Sequence, residues 1–290
     1  MMSEARRANH QALTVPPSFG GVGTETAPCS LVAALRAAGC VFAEDEAELL
    51  LAASAGDRAR LAGMLARRVA GEPLEVVVGW AEFAGRRILI DPGVFVPRRR
   101  TELMVRLAVS RLGSDPGPTP VLVDLCCGSG AVGLAVAAAV PGLRWYACDV
   151  DPAAVACARR NCEPQGGRVH AGDLFEALPA RLRGRIDLVT ANAPYVPTGE
   201  VASMPPEARL YEPMVSLDGG ADGLDVQRRV IAAAPGWLRP GGRLLVESSV
   251  EQAATSARLM AAAGLVPVVH TDEEIGGTVV AGTLPARVRG

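Results

Sequence analysis

Val121-Leu122-Val123-Asp124-Leu125-Cys126-Cys127-Gly128-Ser129-Gly130-Ala131-Val132-Gly133 sets the architecture of this chain. An apolar run interrupted only by Asp124 reads as a buried strand, and the glycines behind it read as a tight turn into a helix. Gly128, Gly130 and Gly133 stand in G-x-G-x-x-G register, where missing side chains let the backbone approach a ligand closely. Outward from this segment the rhythm repeats. Arg144 to Val150, Val169 to Gly172, Ile186 to Ala191 and Arg243 to Glu247 read as further strands, with helices near 130–139, 152–161, 223–234 and 250–263. Strands alternating with helices predict an α/β fold, a parallel sheet covered on both faces. No internal repeat is visible.

Upstream the pattern changes. Residues 1–28 carry Pro16-Pro17, Gly20-Gly21 and Gly23 among small polar residues and read as a flexible leader. Residues 29–75 predict a small helical, substrate-binding domain, because Leu31 with Leu35, Leu49 with Leu50, and Leu61 with Met64 and Leu65 recur at helical spacing between breaks at Gly39 and Gly56. Residues 76–96 predict a β-hairpin linker, since Val76-Val77-Val78 and Ile88-Leu89-Ile90 are rich in β-branched residues and separated by Gly79 and Gly85. Residues 97–290 then make the main domain, in which Val94 to Arg106 leads into a helix and Gly113 to Pro120 is a loop ahead of the next strand.

Composition narrows the function classes. The 290 residues are 49% apolar and 21% charged, ample for a sizeable core. Lys plus Arg number 29 against 31 Asp plus Glu, a formal net charge of −2, so no global basic field exists to draw in nucleic acid and no direct nucleic-acid binding is expected. The longest apolar run, Ala131 to Val140, is too short to span a bilayer, and no signal-peptide pattern opens the chain; a soluble cytoplasmic protein without a membrane partner is expected, acting as a monomer. Seven cysteines without a Cys-x-x-Cys pair, and only His10, His170 and His270 beside them, predict neither a disulfide framework nor a metal site.

Two further segments carry chemistry. The second strand of the α/β unit ends at Asp149, where a carboxylate can accept hydrogen bonds from both ribose hydroxyls of an adenosine-type ligand. Asp151-Pro152 then starts the next helix, with Asp as cap and Pro in the first turn. The strand Ile186 to Ala191 runs into Asn192-Ala193-Pro194-Tyr195 at the edge of the sheet where ligands bind. The Asn192 side-chain oxygen and the Ala193 carbonyl can accept hydrogen bonds from a planar NH2 group, and Tyr195 can lie against that plane. The alternatives to these readings are an ordinary strand-to-helix turn, a dinucleotide site, and an ordinary Asn-x-Pro turn. Against a dinucleotide, Asp124 at the strand end and Cys126-Cys127 after it suit a more compact ligand, with Asp124 placed to orient the turn or reach an amino-acid moiety.

The segment order resembles the class I S-adenosylmethionine-dependent methyltransferases, and Asn192-Ala193-Pro194-Tyr195 is similar to the Asn-Pro-Pro-Tyr of amino-group methylators. Within that class the chain resembles the HemK/PrmC protein-(glutamine-N5) methyltransferases, which modify the Gly-Gly-Gln glutamine of peptide chain release factors. Gly71-Glu72-Pro73-Leu74, Gly79-Trp80-Ala81-Glu82-Phe83, Val96-Pro97-Arg98-Arg99-Arg100-Thr101-Glu102 and Tyr211-Glu212-Pro213 fall in that family's order, and the likeness runs from about Glu72 to the C-terminus, roughly three quarters of the chain. The resemblance implies a Rossmann-like, mostly parallel seven-stranded sheet with a helical N-terminal domain and hairpin linker. It implies S-adenosyl-L-methionine as cofactor, with Asp124, Cys126, Cys127, Gly128, Ser129 and Gly130 around its methionine end, Asp149 and Val150 at the ribose, and Asp173 and Leu174 at the adenine. Asn192 would touch cofactor and substrate, with Ala193, Pro194 and Tyr195 completing the catalytic tetrad. Asp173 could equally cap a helix.

The departures are informative. Cys126 stands where the family has the first glycine, Ala193 where it has the first proline, and Arg99 and Arg100 replace a proline and an acidic residue. Position 126 must either accept a side chain or weaken cofactor binding, and Ala193 frees a φ that proline would restrict. Arg98 to Arg100 either contact an acidic or RNA-bound partner or form a solvated segment at the start of a helix. Glu247 is expected to support the sheet edge beside the crevice, and Glu212-Pro213 to shape the substrate opening. A primary amide is a poor nucleophile, so alignment and electrostatics must supply catalysis, without a metal or nucleophilic side chain. The leading expectation is methylation of a protein glutamine, in a release factor; the alternatives are methylation of an exocyclic amino group in nucleic acid, or a non-catalytic cofactor-binding module.

Overall fold

The computed structural model describes residues 26–114 and 119–286. Most of the expected leader lies outside the described residues, while its last positions already belong to α1 (Thr26–Ala37). α2 (Ala43–Ser54) and α3 (Arg58–Val69) follow, the latter capped by Asp57, whose Oδ1 accepts from the N–H groups of Ala59 and Arg60 at 2.9 and 3.0 Å. Leu31, Leu35, Leu50 and Met64 bury their side chains together as the core of this helical unit.

Val76-Val77-Val78 is not a strand. It forms most of α4 (Leu74–Val78), which starts after Pro73 and is closed by Gly79 at φ +85. The reason is tertiary: Leu74, Val77 and Val78 all pack against the helical core, the i, i+3, i+4 spacing of one helix face, while Val76 turns to the core under the main sheet; a strand would send adjacent Val77 and Val78 to opposite sides. The hairpin itself is β1 (Trp80–Phe83) against β2 (Arg86–Leu89), turning at Ala84-Gly85 with both φ values positive, the primed turn that matches strand twist. Phe83 and Ile88 are buried, while half-buried Trp80 carries the Arg87 guanidinium 3.8 Å from its ring centre.

The main domain continues with α5 (Glu102–Ser114), β3 (Val121–Leu125), α6 (Ala131–Ala139), β4 (Arg144–Asp149), α7 (Pro152–Cys162), β5 (Arg168–Ala171) and β6 (Ile186–Ala191). After β6 come the short helices α8 (Pro206–Tyr211) and α9 (Met214–Leu217), then α10 (Asp225–Ala233), β7 (Leu238–Glu247), α11 (Val250–Ala262), β8 (Val266–Asp272) and β9 (Gly277–Thr283). The seven-stranded sheet has the order β5-β4-β3-β6-β7-β9-β8, parallel except for β9, which runs antiparallel to both neighbours. Leu122, Leu188 and Leu245 face one core and Val123, Val189 and Val246 the other, which is why these strands read as continuous apolar runs. The chain winds outward from β3 to β5 and returns to β6, so a topological switch point opens between the carboxyl ends of β3 and β6. Among the described residues no helix is long and apolar enough to cross a membrane.

Candidate active site

Because Leu125 pairs with Ala191, the glycine loop and the Asn192 tetrad leave the sheet side by side. Asp124 ties the two together. Its Oδ1 accepts from Thr190 Oγ1 on β6 at 2.8 Å, and its Oδ2 accepts from the Gly133 N–H on α6 at 3.0 Å. It is nearly inaccessible to solvent, and burial pushes its carboxyl up to about 7 despite those two hydrogen bonds.

The glycines have separate reasons. A Cβ on Gly130, at φ +80, would lie 2.3 Å from Cys162 Sγ, so this position lets α6 approach α7. Gly128, at φ +55, would meet nothing within 4 Å; its N–H donates to Asp149 Oδ2 at 2.9 Å and its open side borders a cavity. Cys126 takes φ +53, the left-handed region that the family's glycine would occupy, and it does so with a side chain, at a strain of about 1–2 kcal/mol. Burial raises the thiols of Cys126 and Cys127 well above their ordinary range, so both stay neutral.

Asp149 closes β4 with Oδ1 accepting from the Asp151 N–H at 3.0 Å, and Asp151 caps α7 by accepting from the Ala153 N–H at 2.9 Å. Burial raises the Asp149 carboxyl, opposed by the Asp151 and Gly128 N–H groups. Asp173 makes no side-chain cap; it pairs with Arg229 Nη2 at 2.5 Å instead. Leu174 follows at φ +48, its carbonyl accepting from Cys148 Sγ at 3.3 Å.

Asn192 Nδ2 donates to Thr101 Oγ1 at 3.5 Å, which leaves Oδ1 as the acceptor for a bound molecule. The Tyr195 hydroxyl donates to Glu247 Oε1 at 3.2 Å, and its carbonyl accepts from Gln252 Nε2 at 2.9 Å. Burial and the neighbouring Glu247 push the Tyr195 phenol up to about 12, so at neutral pH it keeps its proton. Gly219 and Gly223 sit beneath the tetrad: a Cβ at either would fall within 2.7 Å of the Pro194 or Tyr195 carbonyl oxygen. The glycines of residues 219–223 were a visible signal for this close approach, whereas the roles of Thr101, Gln252 and Arg229 had no local signature.

One cavity of about 660 Å³ is lined by Asp124, Cys126, Cys127, Gly128, Ser129, Asp149, Val150, Asp173, Leu174, Asn192, Ala193, Pro194 and Tyr195. Gly130 is the exception, serving helix packing. Arg98, Arg100 and Glu212 line the same cavity, which corrects the view of Arg98–Arg100 as a solvated segment: only Arg99 is largely exposed, while Arg98 pairs with buried Glu212 and Arg100 with buried Glu247.

The switch-point crevice, glycine turn and strand-end carboxylates define a class I methyltransferase, and residues 85–205 match the family model described as methyltransferase small domain. Release factor glutamine methyltransferases of Geobacter sulfurreducens and Streptomyces coelicolor are 42% and 39% identical over 195 and 215 residues, spanning 67% and 74% of this chain and 66% and 73% of their own. The 4-amino-L-phenylalanine/4-methylamino-L-phenylalanine methyltransferase of Streptomyces pristinaespiralis is 39% identical over 201 residues, 68% of each chain. The chain belongs to the release factor glutamine methyltransferase family. Its cofactor is S-adenosylmethionine, and the residues present fit that molecule: open backbone at Gly128, acceptor carboxylates at Asp149 and Asp173, and a cavity of the size that takes a nucleoside joined to an amino acid.

Proposed function

We propose that this protein methylates the side-chain amide nitrogen (N5) of a glutamine in a protein, the Gly-Gly-Gln glutamine of a peptide chain release factor, and that it acts as a monomer. Asn192 is the observation that carries this reading. With Nδ2 engaged by Thr101, its Oδ1 is the acceptor presented to an incoming N–H, beside the Ala193 carbonyl and the Tyr195 ring. Release factor relatives across 70% or so of the chain support the acceptor class.

S-adenosylmethionine supplies a methyl group on a sulfonium. The chain's own residues orient the acceptor. Asn192 Oδ1 and the Ala193 carbonyl hold the amide N–H atoms, turning the nitrogen toward the cofactor side and stabilising positive charge as it grows there. Tyr195, held by Glu247 and Gln252, covers the plane of the amide and excludes water. Asp149 would hold the ribose, with Val150 beside it, and Asp173 with Leu174 would face the adenine. Cys126 to Ser129 would wrap the methionine end.

A second reading, an amino group on a small aromatic amino acid, is favoured by the Streptomyces pristinaespiralis relative. The test is incubation with tritiated S-adenosylmethionine and a release factor, its Gly-Gly-Gln Gln→Ala variant, bulk nucleic acid, and 4-amino-L-phenylalanine. Label on the glutamine alone is expected. Label confined to the amino acid or to nucleic acid refutes the proposal, and no transfer despite cofactor binding favours a non-catalytic module.

A further inference from the structure

Two of the three consecutive arginines are built into the cavity wall in the same way. Arg98 Nη2 donates to Glu212 Oε1 at 2.5 Å, with its guanidinium carbon 5.1 Å from the Phe95 ring centre. Arg100 Nε donates to Glu247 Oε1 at 3.2 Å, with its guanidinium carbon 5.9 Å from the Tyr195 ring centre. The carboxylates behind them are buried, their side chains 2% and 1% exposed, whereas the two arginine side chains keep 33% and 42% of their surface open. Burial raises the Glu212 carboxyl and both guanidiniums act against that rise, so both lie within electrostatic reach of Glu212, and both line the same cavity.

A guanidinium held from behind by a buried carboxylate and laid beside an aromatic ring has little rotamer freedom left to lose. Arg98 spends a single N–H on Glu212, and Arg100 spends one on Glu247 while also standing within hydrogen-bonding reach of the Tyr195 hydroxyl; the N–H groups left on each planar fork suit an incoming carboxylate. We propose that Arg98 and Arg100 form a clamp for a carboxylate that the acceptor carries close to its methylated nitrogen, with Arg100 the specificity-determining residue. The proposal rests on reading the site as a nitrogen methyltransferase. Two sources can supply the carboxylate: an acidic side chain beside the target glutamine of a protein, or the α-carboxylate of a free amino acid.

Methyl transfer from tritiated S-adenosylmethionine tests this with the full chain as wild type, Arg100→Gln, Arg100→Lys, and Arg100→Gln combined with Glu247→Gln. The double variant removes the carboxylate that Arg100→Gln alone leaves unpaired, which guards against loss of folding. One acceptor pair is a release factor with Glu placed beside the target glutamine and the same protein with Gln there. The other is 4-amino-L-phenylalanine and its methyl ester. In the pair that is turned over, wild-type kcat/KM is expected to be about tenfold higher for the carboxylate form, the size of one charge-assisted hydrogen bond. That ratio should fall to within about twofold in both Gln-containing variants and be intermediate in Arg100→Lys, with the KM for S-adenosylmethionine little changed. No preference in the wild type, or a preference that survives Arg100→Gln, overturns the clamp. Release factor turnover without preference overturns the clamp alone; preferential turnover of the amino acid but not the release factor overturns the glutamine reading alone. No turnover of either pair overturns both.

Discussion

Asp124 makes the stability of this fold depend on pH in a direction opposite to that of an exposed, ion-paired carboxylate. Its carboxyl is held at about 7 in the fold against an ordinary value of 3.8, with burial as the main cause. The protonated form is therefore favoured in the fold, so the stability it contributes is fully present below pH 3.8, is lost as pH rises through about 7, and changes little above that. Each pH step of one between those two values removes about 1.4 kcal/mol, so the loss from about pH 5 to about pH 8 is roughly 2.5 kcal/mol. Asp124→Asn isolates this effect from half-buried Asp149 and buried Glu212, whose values are also raised. An Asn side chain can still accept from the Gly133 N–H through Oδ1 and donate through Nδ2 to Thr190 Oγ1, whose own hydrogen can turn to the Val123 carbonyl at 3.5 Å. Urea unfolding of wild type and variant across that pH range is the assay. The variant should gain on the wild type by roughly 2–3 kcal/mol as pH rises. Parallel stability profiles would show that Asp124 titrates in the fold as it does in the unfolded chain, and the reasoning from burial would fail.

Asn192→Ala should lower kcat about 10²–10³-fold, the loss typical of one positioned polar group in the reacting shell; single-turnover methyl transfer checks this, and a loss under threefold removes Asn192 from the mechanism. Gly130→Ala should cost about 2–3 kcal/mol through overpacking and a strained φ, because its Cβ would meet Cys162 Sγ at 2.3 Å. Adding Cys162→Ala should restore part of that in urea unfolding, and no recovery would mean the contact is not the cause. Cys126→Gly should change stability by less than about 1 kcal/mol, since relief of the left-handed φ is offset by the greater entropy of an unfolded glycine. Its affinity for S-adenosylmethionine by calorimetry should be equal or tighter, and a tenfold weakening would show that the thiol itself contacts the cofactor.

Much of the site was legible because it is built from short contiguous segments at the ends of strands buried on both faces. The run from Val121 to Gly133, the carboxylate at Asp149, and the step from Ala191 into Asn192 each announce themselves locally, and strand order then brings them together. The left-handed turn at position 126 could be framed from the sequence as an alternative, but only the backbone shows that Cys126 adopts it. Local pattern misled at Val76–Val78, where β-branched residues predicted a strand but Leu74, Val77 and Val78 share one core, which only a helical turn allows. It also passed over β8 and β9, the antiparallel pair that ends the sheet, since Pro267 breaks the strand signal and is tolerated only because β8 is an edge.

The amino-acid sequence by itself determined the α/β class, the cofactor turn and the tetrad, because period, burial and turn chemistry act over a few neighbouring residues. The tertiary structure alone decided which charges meet. Arg100 finds Glu247 across 147 positions and Arg98 finds Glu212 across 114, and no spacing in the chain encodes those pairings. They exist because the sheet winds outward, returns, and brings the end of β7 behind Arg100 and the loop after α8 to the cavity wall beside Arg98.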